Sequence, residues 1–285
     1  MNVPELKTLF QSVLCEEKDD LKFHNIEVPK HFLSFFIKDD NVIAHTVDTI
    51  YTWSVQEQPT GSEITLGTRG TSEDLKETFP LTKTEAVRRV VQAYLNREDV
   101  SIDVLGIENH PHGLEQCVPL KVRNFKWKMS ICSSRYDYTT WFVCLRNYPI
   151  DTVDIEWNIE DNTIFSEDVI NSARNATFKT RIPLPIQAIM NFKISNLKLE
   201  QDISSDDLVK LCRRWFDEEK PVGSRIEINM TSSEINLLRS RYSGEYSMDV
   251  DLIADGELAL LLMGPKSRMK IDARCSGEVF MEVVE

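Results

Sequence analysis

The sequence predicts an α/β fold: an irregular, leucine-rich-repeat-like array of strands and helices on a mostly parallel sheet, with β-rich N- and C-terminal parts. Three observations lead there. From Val100 to Tyr242, β-type runs alternate with helical patterns at a spacing of roughly 20–30 residues, the interval of α/β repeats. Between His31 and Val55 the pattern is short and β-rich. From Gly244 to Glu285, short apolar runs are separated by Asp255-Gly256, Gly264-Pro265 and Ser276-Gly277. Turn dipeptides between β-type runs predict a meander that closes an open sheet.

In chain order, residues 1–28 hold one short amphipathic helix, with Leu6, Leu9, Phe10, Val13 and Leu14 at helical spacing between Pro4 and Glu16. Residues 29–80 form the β-rich N-terminal part: "FLSFFIK", "VIAHTV" and "IYTWSV", followed by a polar stretch at 56–78 that reads as a loop. Residues 81–285 form the repeat-like region, ending in the meander over 244–285. Thr82 or Thr84 caps its first helix. Strands are expected at Val100–Ile107, Val122–Ile131, Asp151–Ile159, Thr177–Ile182, Ser195–Gln201 and Ser224–Met230. Helical patterns between them cover Tyr138–Tyr148, Phe165–Ala173, Ile186–Phe192, Ser204–Glu219 and Ser232–Tyr242, so the crossovers cover one face of the sheet.

The clearest helix is Ser204–Glu219. Ser204 stands three residues before Asp207 in a variant of the capping box, and Asp206 and Asp207 suit the positive end of the helix dipole. Leu208, Leu211, Cys212, Trp215 and Phe216 fall at i, i+3, i+4, i+7 and i+8, one continuous apolar stripe that reads as core. Pro221 and Gly223 then stop the helix.

The chain carries 33 basic and 46 acidic side chains, a formal charge of -13 at pH 7. Such a surface repels phosphate backbones, so nucleic acid is not an expected partner. One basic-aromatic run, "KVRNFKWKM" from Lys121 to Met129, alternates as a strand whose more apolar face is Arg123, Phe125, Trp127 and Met129. Six cysteines are spread without a CxxC pair; Cys144 and Cys212 sit among apolar neighbours as small buried residues. The N-terminus has no secretory h-region and no run reaches the length of a membrane helix, so a cytoplasmic or nuclear protein with reduced thiols and no membrane partner is expected.

No chemical motif emerges. Gly67 and Gly70 lack the lysine and the strand–helix context of a phosphate loop. His110, His112 and Cys117 offer three candidate ligands where a closed zinc site needs four. Cys132, Ser133 and Ser134 have no histidine beside them, and no GxSxG elbow occurs. Asp249 and Asp251 alternate with apolar residues and read as the solvated side of one strand. No catalytic residue, cofactor or metal is expected.

The segment "NLKLEQDISSDDLVKLCRRWFDEEKPVGSRIEIN", Asn196 to Asn229, resembles the nematode F-box-associated domain of type 2. That family looks like a strand with an alternating LxL, an Ile-Thr step before Asp-Leu, a helix ending in Trp, a break and another strand. The matching positions are Leu197, Leu199, Ile203, Asp207, Leu208, Trp215, Ile226 and Ile228, which the resemblance implies are packing positions. It also implies substrate recognition in a ubiquitin-ligase adaptor, where an F-box docks onto the Skp adaptor of a cullin–RING complex. No complete F-box is found: Pro4–Glu16 is a single short helix before the first strands, so docking onto the Skp adaptor is not expected.

The leading expectation is a non-catalytic module that binds another protein through an exposed strand face or loops. Two alternatives stand beside it. One is an enzyme assembled from scattered groups such as Asp249, Asp251, His110 and His112; the other is a degenerate family member without a partner.

Overall fold

A computed structural model describes residues 7–8, 10–11, 13–14, 28–69, 74–130, 140–145, 150–160, 163–245, 249–252, 258–263, 268–274 and 276–285. The chain is mixed α/β, rich in strands with few helices. Its middle pairs strands in parallel and its two end regions pair them antiparallel. It divides into two compact units, Met1–Thr152 and Val153–Glu285.

In the first unit, β1 (His31–Phe32) and β2 (Ser34–Ile37) both pair in parallel with β7 (Ser101–Glu108), and β7 pairs in parallel with β8 (Lys121–Met129). From β2 an antiparallel meander runs through β3 (Asn41–His45), β4 (Ile50–Gln58), β5 (Gly61–Thr68) and β6 (Leu75–Phe79). Much of the polar stretch 56–78 is therefore strand, not loop. Ser62, Ile64 and Leu66 point inward and are buried, while Glu63 and Thr65 alternate outward. An edge region that faces water on one side needs only that sparse apolar row to hold its register. Gly61 makes the β4–β5 turn: at φ +147° its missing Cβ leaves room for the Phe79 carbonyl.

One face of this sheet is the core. Helix α1 (Lys83–Leu95) starts at Thr82, whose hydroxyl accepts from the Glu85 amide, and brings Tyr94 against Phe32, Phe35, Tyr51 and Trp53. The described helical residues at 7–8, 10–11 and 13–14 carry Phe10, Val13 and Leu14 into the same layer. The 3₁₀ segment Thr140–Leu145 seats Trp141 and Phe142 on Phe125 and Trp127.

The second unit repeats this plan. β9 (Thr152–Trp157) is followed by β10 (Asn175–Thr180), β11 (Asn196–Asp202) and β12 (Arg225–Asn229), with β10–β11 and β11–β12 parallel. The strands expected around Asp151, Ser195 and Ser224 thus share one sheet. Its far side is an antiparallel meander of β13 (Asp249–Leu252), β14 (Leu258–Met263), β15 (Arg268–Ala273) and β16 (Glu278–Val284), joined through β16 to β12.

The connections differ in length. A 3₁₀ turn at Thr163–Ser166 and the single turn α2 (Asp168–Asn171) link β9 to β10, and the five-residue α3 (Ile186–Met190) links β10 to β11. Among the described residues of these crossovers, only α4 (Ser205–Asp217), between β11 and β12, is a full amphipathic helix. It begins where the sequence places it, with the Asp207 amide donating to Ser204 Oγ at 3.2 Å. Helix α5 (Ser232–Glu245) follows β12. Phe165, Phe192 and Cys212, from successive connections, meet Trp157, Phe178 and Met281 on one face of the sheet. Burying a crossover against every strand on a single side leaves the opposite side open.

Candidate functional site: the open sheet faces

In each unit, alternate strand residues point away from the core onto a face that no described helix covers. On β10 to β12 these are Asn175, Thr177 and Lys179, then Asn196, Lys198 and Glu200, then Arg225, Glu227 and Asn229. Each lies half-buried or exposed and alternates with the buried residues of its strand. The resemblance positions lie on the other side: Leu197, Leu199, Ile203, Leu208, Trp215, Ile226 and Ile228 are all buried. Asp207 caps and pairs at the surface of α4, with Lys210 Nζ 2.8 Å from its carboxylate; that ammonium's hydrogen bond holds its pKa below the ordinary carboxylate value. These residues build the layer that supports the open face and do not line it.

Each open face has a shallow groove where its parallel strands begin. In the second unit a groove of about 310 Å³ is lined by Asn175, Thr177, Asn196, Lys198, Arg225 and Glu227. The residues are brought together by register: Asn175 stands opposite Asn196, and Asn196 opposite Arg225. Asn196 Nδ2 donates to Asn175 Oδ1 at 2.8 Å. Lys198 and Glu227 form an ion pair across β11 and β12, and the carboxylate raises the pKa of the Lys198 ammonium above its usual value. Beside the groove, Phe280 carries a guanidinium on each of two neighbours, Arg225 at 4.5 Å and Arg274 at 4.4 Å from the ring centroid.

The first unit's groove, also about 310 Å³, is lined by Ser101, Asp103, Lys121, Arg123 and Asp151. Arg123 Nε donates to Asp151 Oδ2 at 3.0 Å. At its margin His31 Nδ1 and Ser101 Oγ are hydrogen-bonded at 2.9 Å, the donor being set by the imidazole tautomer, and His31 Nε2 lies 3.7 Å from Asp103 Oδ2. Sequence reasoning missed this trio because parallel pairing of β1 with β7 joins residues 70 positions apart. Its composition is that of a nucleophile–base–acid set, but the His31 and Asp103 side chains are 49% and 39% exposed. A seryl nucleophile draws its power from a water-poor site with preorganised oxyanion donors. A solvated trio at this separation has neither the low dielectric nor the short acid–imidazole bond.

The basic run on β8 differs from its sequence reading. Val122 is buried and Arg123 exposed, so the inward phase shifts by one residue before Phe125, Trp127 and Met129 resume it. β7 shifts in step, with Ile102 and then Leu105 inward, and the two strands keep one register throughout. Asn124 Nδ2 donates to the Asp103 carbonyl at 2.9 Å and fixes the step. Lys121 pairs with Asp99 and Arg123 with Asp151, so the first two cations of this run are matched by carboxylates.

His110 and His112 stand with ring centroids 5.4 Å apart, while the Cys117 thiol donates to the Gly113 carbonyl. Among the described residues no three histidine, cysteine or carboxylate groups assemble for a metal. Burial, and next to it His110, push the His112 pKa down. The adjacent turn is tied by Asn109, at φ +61°, whose side chain donates to Asp39 and accepts from the Ser130 amide. Cys144 and Cys212 are buried, and burial raises the Cys144 thiol pKa to about 12. Cys132, Ser133 and Ser134 lie outside the described residues, as do the side chains of Asp249 and Asp251.

Among the described residues no helix is long and apolar enough to cross a membrane. No family model matches this chain, and neither curated proteins nor solved structures give a match.

Proposed function

We propose that the chain is a non-catalytic protein-binding module that uses the open face of β10, β11 and β12 to hold a target. The observation that carries this reading is the one-sided build of the second unit: its connections pack on one face and leave a polar, grooved strand surface on the other. Open α/β faces suit extended partners, because neighbouring strands present side chains in a regular grid. On this reading the parallel strands are an irregular leucine-rich-repeat-like array. The likeness of Asn196–Asn229 to the F-box-associated domain makes target recognition for a ubiquitin ligase the specific role, in the cytoplasm or nucleus. The test is photocrosslinking in native-cell extract with benzoylphenylalanine at Thr177 on the open face, and at Lys210 on α4. A discrete protein adduct from Thr177 that is absent from Lys210 supports the reading. Adducts from Lys210 alone oppose it.

A second reading, a surface hydrolase site, rests only on the composition of the His31–Ser101–Asp103 trio. A fluorophosphonate probe decides between them: the binding reading predicts that Ser101 is unlabelled under conditions that label an activated serine fully.

A further inference from the structure

We propose that the groove at the start of β10, β11 and β12 recognises a carboxylate, with Arg225 as its anchor, so that the partner presents an Asp or Glu side chain. The proposal rests on the reading of this face as a protein-binding surface and names the chemistry of what it binds. Three features of Arg225 lead to it. First, it lines the groove together with Asn196 and Asn175, its in-register neighbours. Second, its guanidinium sits 4.5 Å from the centroid of Phe280, on the same face of the sheet. A ring contact of that kind restrains the guanidinium while leaving in-plane N–H donors for a ligand, which is the edge that matches a carboxylate.

Third, Arg225 forms no ion pair among the described residues. Among the described residues no carboxylate oxygen lies within 4.0 Å of Arg225, and its cross-strand neighbour Glu282 stands beyond that distance. The other cation of the groove, Lys198, is already paired with Glu227. The other groove's arginine, Arg123, is neutralised by Asp151. One unpaired cation with a paired glutamate in the same groove suits a singly charged carboxylate better than a phosphate, which carries about -1.5 to -2 charges. The chain's net charge of -13 repels acids in general, so preference for one reports the site rather than the overall field.

The test follows the Arg225 Nε–Hε resonance by NMR while acetyl-Gly-Glu-Gly-amide, or acetyl-Gly-Gln-Gly-amide, is added to the full chain. The expected result is a saturable shift with at least about tenfold preference for the glutamate peptide, and no comparable shift of Arg123. In Arg225→Gln, whose fold is checked by its melting curve, the shift of the Asn196 amide should lose that preference. Equal affinities for the two peptides, or equal shifts at Arg123, would overturn the proposal. The Thr177 crosslink separates the two levels of the argument. A Thr177 adduct that forms while the parent chain shows no glutamate preference removes the carboxylate anchor and keeps the binding face. Loss of the Thr177 adduct from the parent chain removes the face itself.

Discussion

Phe10 stacks on Trp53, with ring centroids 5.6 Å apart and planes inclined by only 4°. Trp53 in turn donates its indole N–H to the Tyr94 hydroxyl at 3.2 Å. The N-terminal helical residues are therefore a component of the first unit's core. Burial raises the Tyr94 pKa, as expected for a phenol locked inside that cluster.

Replacing Phe10 with Ala should cost about 3–5 kcal/mol, the range for large-to-small changes at buried aromatic sites. Denaturant melts of the variant measure it. A segment whose apolar side chains are engaged in this way is not available to dock elsewhere, so the purified chain should show no complex with the Skp adaptor at micromolar concentrations by gel filtration. An unchanged midpoint together with a stable adaptor complex would mean that these residues serve a partner instead.

Trp215 is 5% exposed on the inner side of α4, with Lys220 Nζ 5.8 Å from its ring centroid. Trp215→Ala should also lose about 3–5 kcal/mol, a large share of the roughly 5–15 kcal/mol that holds a domain. At the same helix, Ser204→Ala removes the acceptor of the Asp207 amide and should cost about 1 kcal/mol. A Trp215→Ala chain that melts like the parent would place the stripe at the surface.

Acid should weaken the first unit through His112. Its folded pKa lies below the ordinary value of 6.5, chiefly through burial, with His110 and Lys83 acting in the same direction and Asp39 against it. A histidine with a depressed folded pKa binds fewer protons when folded than when unfolded. Its neutral form is retained above 6.5, and stability falls as the pH drops through that value toward the lower folded pKa. Melting midpoints between pH 7.5 and 5 should thus decline less steeply in His112→Gln than in the parent. Identical slopes would show that His112 titrates alike in both states.

The elements with strong periodicity were legible in the sequence. α4 announced itself through Ser204, its acidic first turn and the Leu208–Trp215 stripe, and the structure caps it at that serine. The strands β11 and β12 showed their inner faces as Leu197 and Leu199, and Ile226 and Ile228; β10 begins two residues before the expected Thr177 and ends at Thr180, leaving Ile182 exposed. β5 was not legible, because Ile64 and Leu66 are thin markers between glycines and polar residues; pairing with β4 and β6, not local propensity, makes it a strand. The phase step at Arg123 escaped notice since it depends on a side-chain bond from Asn124 to another strand. The groove residues escaped for a related reason. Asn175, Asn196 and Arg225 meet only through strand register, and no short-range spacing in the sequence signals it.

The central claim is that the partner lies on the open face of β10 to β12, and one calorimetric comparison addresses it most directly. The protein crosslinked through Thr177 would be titrated against the parent chain, Thr177→Arg and Lys210→Glu. Thr177 lies half-buried on the β10 strand of the open face, and Lys210 is exposed on α4. The account predicts at least a tenfold loss of affinity for Thr177→Arg, with its melting temperature kept, and parent affinity for Lys210→Glu. Full affinity in Thr177→Arg, with the loss appearing in Lys210→Glu, would contradict it.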